Sequence, residues 1–336
     1  MPKVAVLSLG GTIAMGAENS AGGVTPSLTV EDLIAAVPCL EEVADITTFQ
    51  ICNLPSPQLS LAELLLVRAK ILELEAQGFD GVVITQGTDT IEETSWILDL
   101  ICPAQIGVIV TGAMRNPTQA GADGPANLLA SVQVAASNAA KKAGTFVVFN
   151  DQIHAARFVQ KNHTSNVAAF TSPICGPVGW MAEGVAFLPF QLTRTKNIEL
   201  PSGARTPRVS IVKPGLGEDG ALIDAAVSSG VDGIVIEASG GGHVSEAIAD
   251  AAQRAAKEMP VILSSRTRAG NVLTGTYGFV GSEMDLLSRG LISSGFLDAL
   301  KARIIVVFSL MRGDSTASIA RRLEEISACR SARPIH

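Results

Sequence analysis

The chain has 336 residues, 47% of them hydrophobic, which is long enough to bury a large core and to form two domains. Its net charge of −7 argues against nucleic acid as a partner, because a phosphate backbone requires a basic surface. The five cysteines are widely spaced and form no CxxC pair, so they indicate neither a disulfide scaffold nor a zinc site. No apolar run reaches the ~18 residues that span a bilayer. We therefore expect a soluble, cytoplasmic protein without membrane contact.

Short runs rich in Val and Ile alternate with longer segments of helical periodicity, a pattern typical of a parallel sheet flanked by helices. In the first part of the chain, the predicted strands are 4–9, 81–85, 106–111 and 145–149. The predicted helices there are 29–37, 60–77, 90–101 and 122–143. The fold class is therefore α/β, with a larger N-terminal, mostly parallel sheet flanked by helices.

A second, smaller α/β domain follows a linker that is rich in Pro, Thr and basic residues. The predicted organisation is an N-terminal catalytic domain over 1–189, a linker over 190–208 and a C-terminal domain over 209–336. The predicted strands of the second domain are 209–212, 233–238 and 261–265. Apolar residues at helical spacing predict a helix within 297–311, and another helix over 315–328 would begin after Asp314 as its N-cap.

Two predicted strands of the first domain end in similar turns, VLSLGGT with Thr12 and VVITQGTDT with Thr88 and Asp89. Residues at the carboxyl ends of parallel strands line the crevice where ligands bind, so both threonines would face one pocket. Gly10 and Gly11 permit positive φ and close backbone approach, which leaves amides free to point at a developing oxyanion.

Other interpretations of these turns stay open. Asp89 or Thr90 could cap the following helix, and Glu92 or Glu93 in its first turn could complete a capping box. Thr12 could be an ordinary turn residue. A dinucleotide-binding loop is disfavoured, because it requires GxGxxG whereas the glycines here are adjacent.

Four segments carry a more specific signal: LSLGGTIAM, GVVITQGTDTIEETSWILDL, VTGAMRNPTQAGADGPANLL and TYGFVGS. Through them the chain resembles the bacterial-type L-asparaginase family, and the likeness runs along essentially its whole length. That family hydrolyses the side-chain amide of asparagine, with varying activity on glutamine and no metal or organic cofactor. The resemblance implies a homotetramer of two intimate dimers, with each pocket built between the first domain of one chain and the second domain of another.

The resemblance also implies catalytic roles. Thr12 matches the nucleophile, which would form a threonine-ester intermediate, and Thr88, Asp89 and Lys161 match a constellation that assists a threonine hydroxyl and its proton transfers. A lysine acts as a base only where burial or a cationic neighbour lowers its pKa from about 10.4. On its own, Lys161 would be interpreted as a solvated loop residue.

Substrate recognition is implied at both backbone ends of the amino acid. Ser56 aligns with the serine that holds the α-carboxylate, although alone it is an ordinary turn serine, and Asp89 would pair with the α-ammonium. Pro57 stands where a Gln or Glu usually contacts the ammonium, with Gln58 next to it.

Two other regions are compared with the family pattern, the segment that would reach a neighbouring subunit and the loop after the first motif. Glu283 aligns with the glutamate that reaches a neighbour's site, and His243 stands where that cross-subunit loop often has Asn, although each could be only a helix-turn acid or a loop residue. Gly23 and Val24 stand where a tyrosine normally covers the nucleophile. The single tyrosine, Tyr277, is a candidate substitute. The 16–27 loop has the glycines and polar residues of a lid.

The sequence thus predicts an amidohydrolase that converts L-asparagine to L-aspartate and ammonia. The alternatives are a broader glutaminase-asparaginase and a non-catalytic amino-acid-binding protein that has lost activation of Thr12.

Overall fold

The computed structural model describes residues 1–11, 15–16, 25–26, 34–37, 39–190 and 192–327. The chain divides into two compact units, residues 1–197 and 198–336, and both are α/β. Described residues 192–208 contain no helix or strand. Thr12, Gly23, Val24 and Cys329 lie outside the described residues, as does most of the 16–27 loop.

The first unit contains β1 (Lys3–Ser8), β2 (Met15–Gly16), β3 (Thr25–Pro26), β4 (Asp45–Gln50), β5 (Gly81–Thr85), β6 (Gly107–Thr111), β7 (Thr145–Phe149), β8 (Gln152–Ala155), β9 (Gln160–Lys161), β10 (Phe170–Thr171), β11 (Gly179–Ala182) and β12 (Val185–Phe187). Within the described residues, eight of them form one sheet in the order β12-β11-β8-β7-β6-β5-β1-β4. Strands β4, β1, β5, β6 and β7 are neighbours in the sheet and run parallel to one another. Strands β8, β11 and β12 extend this sheet through antiparallel pairs. The predicted mostly parallel sheet is confirmed.

The central strands are buried along their whole length. Every residue of β5 (GVVIT), β6 (GVIVT) and β7 (TFVVF) is buried, which is why these strands read as continuous apolar runs rather than alternating ones. The strands predicted from those runs agree with the structure to within one residue at each end.

The helices of this unit are α1 (Leu40–Val43), α2 (Leu61–Ala76), α3 (Ile91–Ile101) and α4 (Gly124–Ala136). The capping box of Ser60 and Glu63 starts α2. The prediction of a helix over 122–143 is wrong at its end. Ser137 is extended and its hydroxyl donates to the Val134 carbonyl, and Lys142 has positive φ. Of the predicted helix over 29–37, residues 34–35 are helical and 29–33 lie outside the description.

The second unit contains β13 (Val209–Val212), β14 (Gly233–Ala238), β15 (Val261–Ser265), β16 (Ile292–Ser293), α5 (Ala221–Ser228), α6 (Glu246–Ala256), α7 (Glu283–Ser288), α8 (Ala299–Met311) and α9 (Thr316–Ser327). Its described strands form one parallel sheet in the order β13-β14-β15-β16. The predicted N-cap of the last helix is wrong. The Ser315 hydroxyl accepts from the Ser318 amide, whereas the Asp314 carboxylate binds Arg322 at 2.7 Å.

The 16–27 loop is described only at its two ends, where β2 pairs antiparallel with β3, Gly16 opposite Thr25. Across the described ranges, no helix combines the length and apolar character that crossing a bilayer requires.

Candidate active site

The glycine turn after β1 lies directly against the turn after β5. Gly10 and Gly11 have φ of +101° and +94°, a region that favours glycine. A Cβ on Gly11 would lie 2.0 Å from the backbone nitrogen of Gly87, so the two turns touch backbone to backbone. Because β1 and β5 are neighbouring parallel strands, both turns leave the same edge of the sheet. Thr12 follows Gly11 but is not among the described residues.

Ser56 joins the same place from a third segment. It is buried within a short 3₁₀ turn, Ser56–Gln58. A Cβ on Gly87 would lie 2.8 Å from the Ser56 Oγ, so a side chain at position 87 would force Ser56 to shift. Pro57 and Gln58 lie on the same turn, and both are exposed.

Lys161 connects two side chains of the second turn. Its Nζ donates to Thr88 Oγ1 at 2.8 Å and to Asp89 Oδ1 at 2.5 Å. The side chain of Lys161 is 13% exposed and that of Asp89 is 62% exposed. The pair therefore has a shielded cationic end and a carboxylate open to a ligand, which suits the binding of an ammonium group and proton transfer at Thr88 Oγ1.

A small hairpin holds Lys161 in place. The interpretation of this lysine as a loop residue is wrong, because it lies on β9 and pairs with Phe170 of β10. Phe170 is buried, and its ring centroid lies 4.8 Å from that of Phe149 on β7. The hairpin is thus anchored in the core of the unit. A strand of two residues is too short to show a period in the sequence.

Neither Asp89 nor Thr90 caps a helix with its side chain. Thr90 occupies the N-cap position of α3 without a side-chain cap bond, and its Oγ1 donates instead to the Ser56 carbonyl at 3.2 Å.

Gln86 is a residue of this region that the sequence did not identify. It is fully buried, and its Nε2 donates to Thr90 Oγ1 and to the Gly87 carbonyl, both at 3.2 Å. A polar residue at the end of an apolar strand was the available signal.

One glycine of the segment VTGAMRNPTQAGADGPANLL, Gly112, lies against the turn after β5. A Cβ on Gly112 would lie 2.5 Å from the Gln86 carbonyl oxygen. The buried side chain of Asn127 holds this segment, because its Nδ2 donates to the Gly112 carbonyl at 3.0 Å and its Oδ1 accepts from the Asn150 amide at 2.9 Å. Asn127 thereby fixes the strand end that contacts the backbone of Gln86.

In the second unit, Glu283 is the centre of a separate polar cluster. Its buried carboxylate accepts from the amides of Thr276 at 2.8 Å and Tyr277 at 2.7 Å, and from His243 Nε2 at 3.0 Å. Burial opposes ionisation, but the amides of Tyr277 and Thr276, with His243, outweigh it and hold the pKa of Glu283 below its usual range. Glu283 is therefore a preorganised carboxylate.

Aromatic rings surround His243. Its ring meets those of Tyr277 and Phe279 edge to face, with centroids 5.0 and 5.2 Å apart. Tyr277, Phe279 and Met284 are all more than 40% exposed. The described structure thus brings His243, Tyr277 and Glu283 together within the second unit. In the described ranges no group of three or more His, Cys, Asp or Glu side chains could hold a metal ion.

Comparison with known proteins assigns the chain to a family. A family model for the N-terminal domain of asparaginase matches residues 3–191, and one for the glutaminase/asparaginase C-terminal domain matches residues 208–323. The chain belongs to the asparaginase family. The predicted resemblance is confirmed.

Individual members of the asparaginase family match along most of the chain. L-asparaginase 2 of Bacillus subtilis is 35% identical over 334 residues, which cover 97% of this chain and 87% of the relative. A glutaminase-asparaginase of Pseudomonas fluorescens is 31% identical, covering 97% and 91%. A crystal structure of a probable cytoplasmic L-asparaginase from Campylobacter jejuni superposes with a TM-score of 0.87 at 33% identity, covering 96% of this chain and 99% of that one.

Proposed function

We propose that this protein hydrolyses the side-chain amide of L-asparagine to L-aspartate and ammonia. The observation that carries the proposal is the contact of Lys161 with Thr88 and Asp89, on a turn packed against Gly11. Membership of the asparaginase family and relatives named L-asparaginase support the same reaction.

Substrate would be held by its two charged backbone groups. The exposed carboxylate of Asp89 accepts the α-ammonium, and the Ser56 hydroxyl donates to the α-carboxylate. Gln58, exposed on the turn of Ser56, would offer its side-chain amide oxygen as a further acceptor for the ammonium, whereas Pro57 has no side-chain acceptor. The side-chain amide then extends toward the Gly10–Gly11 turn.

The reaction proceeds through an ester. The Thr12 hydroxyl attacks the amide carbon, backbone amides of the turns stabilise the oxyanion, and the C–N bond breaks. The hydroxyl proton ends on the leaving nitrogen, which departs as ammonia. Water then splits the ester, giving aspartate and restoring the Thr12 hydroxyl. Thr88 Oγ1, bonded to Lys161, is the group through which protons move.

Asp89 links binding to chemistry in this scheme, because its carboxylate would contact the α-ammonium of the substrate while it also accepts from the Lys161 Nζ. The same lysine donates to Thr88 Oγ1, so the group that binds substrate and the group that assists proton transfer belong to one hydrogen-bond network.

We further propose a cytoplasmic homotetramer made of two intimate dimers, without metal or organic cofactor. Residues 1–189 would form the catalytic domain, 190–208 the linker and 209–336 the domain that serves a neighbour. Glu283 and His243 would then complete the pocket of the adjacent subunit. The exposed apolar side chains beside Glu283, among them Phe279 and Met284, support an interface there.

Ammonia release from asparagine and glutamine tests the proposal. Lys161→Met should reduce kcat for asparagine at least about 100-fold, because it removes the proton-transfer group. Lys141→Met is the matched control, since Lys141 also binds a carboxylate at 2.8 Å, that of Asp80, and lies outside the proposed site. Thr12→Ala should abolish turnover. A wild-type protein that binds aspartate but releases no ammonia from either amide would overturn the proposal. Preferred hydrolysis of glutamine would favour the glutaminase-asparaginase alternative.

A further inference from the structure

A chain of two hydrogen bonds, made by Gln86 and Thr90, connects the turn of Ser56 to the turn of Thr88. The Gln86 amide donates to Thr90 Oγ1, and that hydroxyl donates in turn to the Ser56 carbonyl, each at 3.2 Å. Gln86 is fully buried and Thr90 is half-buried. Their hydrogen bonds run between the two turns and end on backbone carbonyls, those of Gly87 and Ser56.

The orientation of the Gln86 side-chain amide directs its nitrogen toward the turn of Thr88. Its Nε2 donates both to the Gly87 carbonyl and to Thr90, while its Oε1 has no hydrogen-bond partner within the described residues. An unpaired buried oxygen is unfavourable, and the opposite orientation of the amide would turn that oxygen toward the Gly87 carbonyl. The observed orientation thus places both donors on the turn that carries Thr88.

The position of Ser56 relative to Thr88 depends on contacts between the two turns. Ser56 and Gly87 are in close contact, since a Cβ on Gly87 would lie 2.8 Å from Ser56 Oγ and 3.0 Å from Ser56 Cβ, so a displacement of either turn is felt by the other. Ser56 and Thr88 come from distant parts of the chain, so their separation is set by contacts across the two turns. The bond from Thr90 to the Ser56 carbonyl is one such contact.

We propose that Gln86 and Thr90 are positioning residues that fix Ser56 relative to Thr88 and Asp89, and so determine how tightly the α-carboxylate of the substrate is bound. In this role both residues act through hydrogen bonds between the two turns and not on the substrate itself. The inference rests on the proposed function, in which Ser56 binds that carboxylate. Because Ser56 holds the end of the substrate remote from the reacting amide, loss of the contact should affect binding more than the chemical step.

Thr90→Val tests the proposal by removing the hydroxyl while keeping the side-chain shape. It should raise KM for asparagine about fivefold, the effect of one lost hydrogen bond, and change kcat less than about twofold. The Kd for aspartate, measured by calorimetry, should rise in parallel. Thr90→Ser keeps a hydroxyl and should restore both values. Thr94→Val, which removes a buried hydroxyl one turn further along α3, is the matched control and should leave KM unchanged.

Two further measurements separate positioning from general destabilisation. In a Ser56→Ala background, Thr90→Val should raise KM hardly at all, because the group it positions is gone. With the α-carboxamide of asparagine as substrate, which lacks the carboxylate, Thr90→Val should likewise have little effect. An unchanged KM in Thr90→Val, an equal rise in Thr94→Val, or additive effects with Ser56→Ala would overturn the inference. If the wild type does not hydrolyse asparagine, the proposed function fails, and the aspartate Kd values still test the positioning role.

Discussion

The pairing of Lys161 with Asp89 is asymmetric in its access to solvent. The lysine is largely shielded, whereas most of the Asp89 side chain is exposed. A cationic ligand can therefore approach the carboxylate from outside while Lys161 keeps its bond to Thr88. This arrangement separates Asp89, which recognises a ligand's charge, from Lys161, which acts on Thr88, although the two side chains are hydrogen-bonded to each other.

His154 gives the first unit a stability that depends on pH. It is fully buried on β8, its Nδ1 lies 2.9 Å from Ser172 Oγ, and its Nε2 has no partner in the described part of the chain. Burial lowers the pKa of His154 to about 4, whereas an unfolded histidine titrates near 6.5. Between these values the unfolded state binds a proton that the folded state does not, so stability is lost as the pH falls.

We predict that the free energy of unfolding falls by about 2 kcal/mol between about pH 7.5 and about pH 5 because of this residue. His154→Gln should remove that part of the decrease, which thermal or denaturant unfolding across the pH range will measure. His163→Gln, a change at an exposed histidine, should retain the wild-type slope. Equal slopes for wild type and His154→Gln would contradict the prediction.

At the scale of elements, contact between the turns after β1 and β5 should make Gly11 irreplaceable. In Gly11→Ala the new Cβ would meet the nitrogen and Cα of Gly87 at 2.0 and 2.4 Å, and these backbone atoms cannot move without displacing Thr88. We expect ammonia release from asparagine to fall more than about tenfold, because misplaced reacting groups lose alignment.

Gly78 provides the matched control for that substitution. Its φ of +83° is as unfavourable for alanine, but nothing lies within 4 Å of the added Cβ. Gly78→Ala should therefore lose about 1 kcal/mol of unfolding free energy through backbone strain and keep its activity. If both variants lose activity equally, the contact between the turns does not explain the requirement for glycine.

Predictability from the sequence also differs among elements. Strands β5 to β7 were predictable because burial on both faces demands unbroken apolar runs. The end of α4 was not, because a hydroxyl bond from Ser137 and the positive φ of Lys142 override the helical propensity of the intervening alanines.

The residues of the candidate site also differ in how far the sequence predicts them. Thr88 and Asp89 could be proposed from their place after a buried strand. Lys161 and Ser56 became candidates only through the family resemblance, since a two-residue strand and a single short turn leave no periodic signal. The bond from Thr90 to Ser56 depends on tertiary contact between distant segments, which local pattern cannot reveal.

For the whole molecule, the proposed sharing of sites between subunits predicts complementation. Chains with Thr12→Ala and chains with Glu283→Ala should each be inactive. When they are unfolded and refolded together, random pairing should restore about a quarter of wild-type ammonia release, because mixed dimers contain one intact pocket.

The control mixture combines Thr12→Ala with Lys161→Met. Both changes lie in the first unit, so no pairing assembles an intact pocket, and activity should remain absent. Recovery in the control mixture, or none with Glu283→Ala, would show that Glu283 does not act on a neighbour's site.

The position of β1 inside the large sheet affects the order in which strands can pair while the chain is being synthesised. β1 pairs with β4 on one side and β5 on the other, with Val4 opposite both Ile46 and Gly81. A nascent chain therefore displays this apolar strand long before its second partner leaves the ribosome, and parallel pairing over such distances is slow. The glycine turn gains its contact with Gly87 only after β5 has joined. The contact between the two turns, on which the proposed site depends, therefore cannot form until the chain has been synthesised through β5.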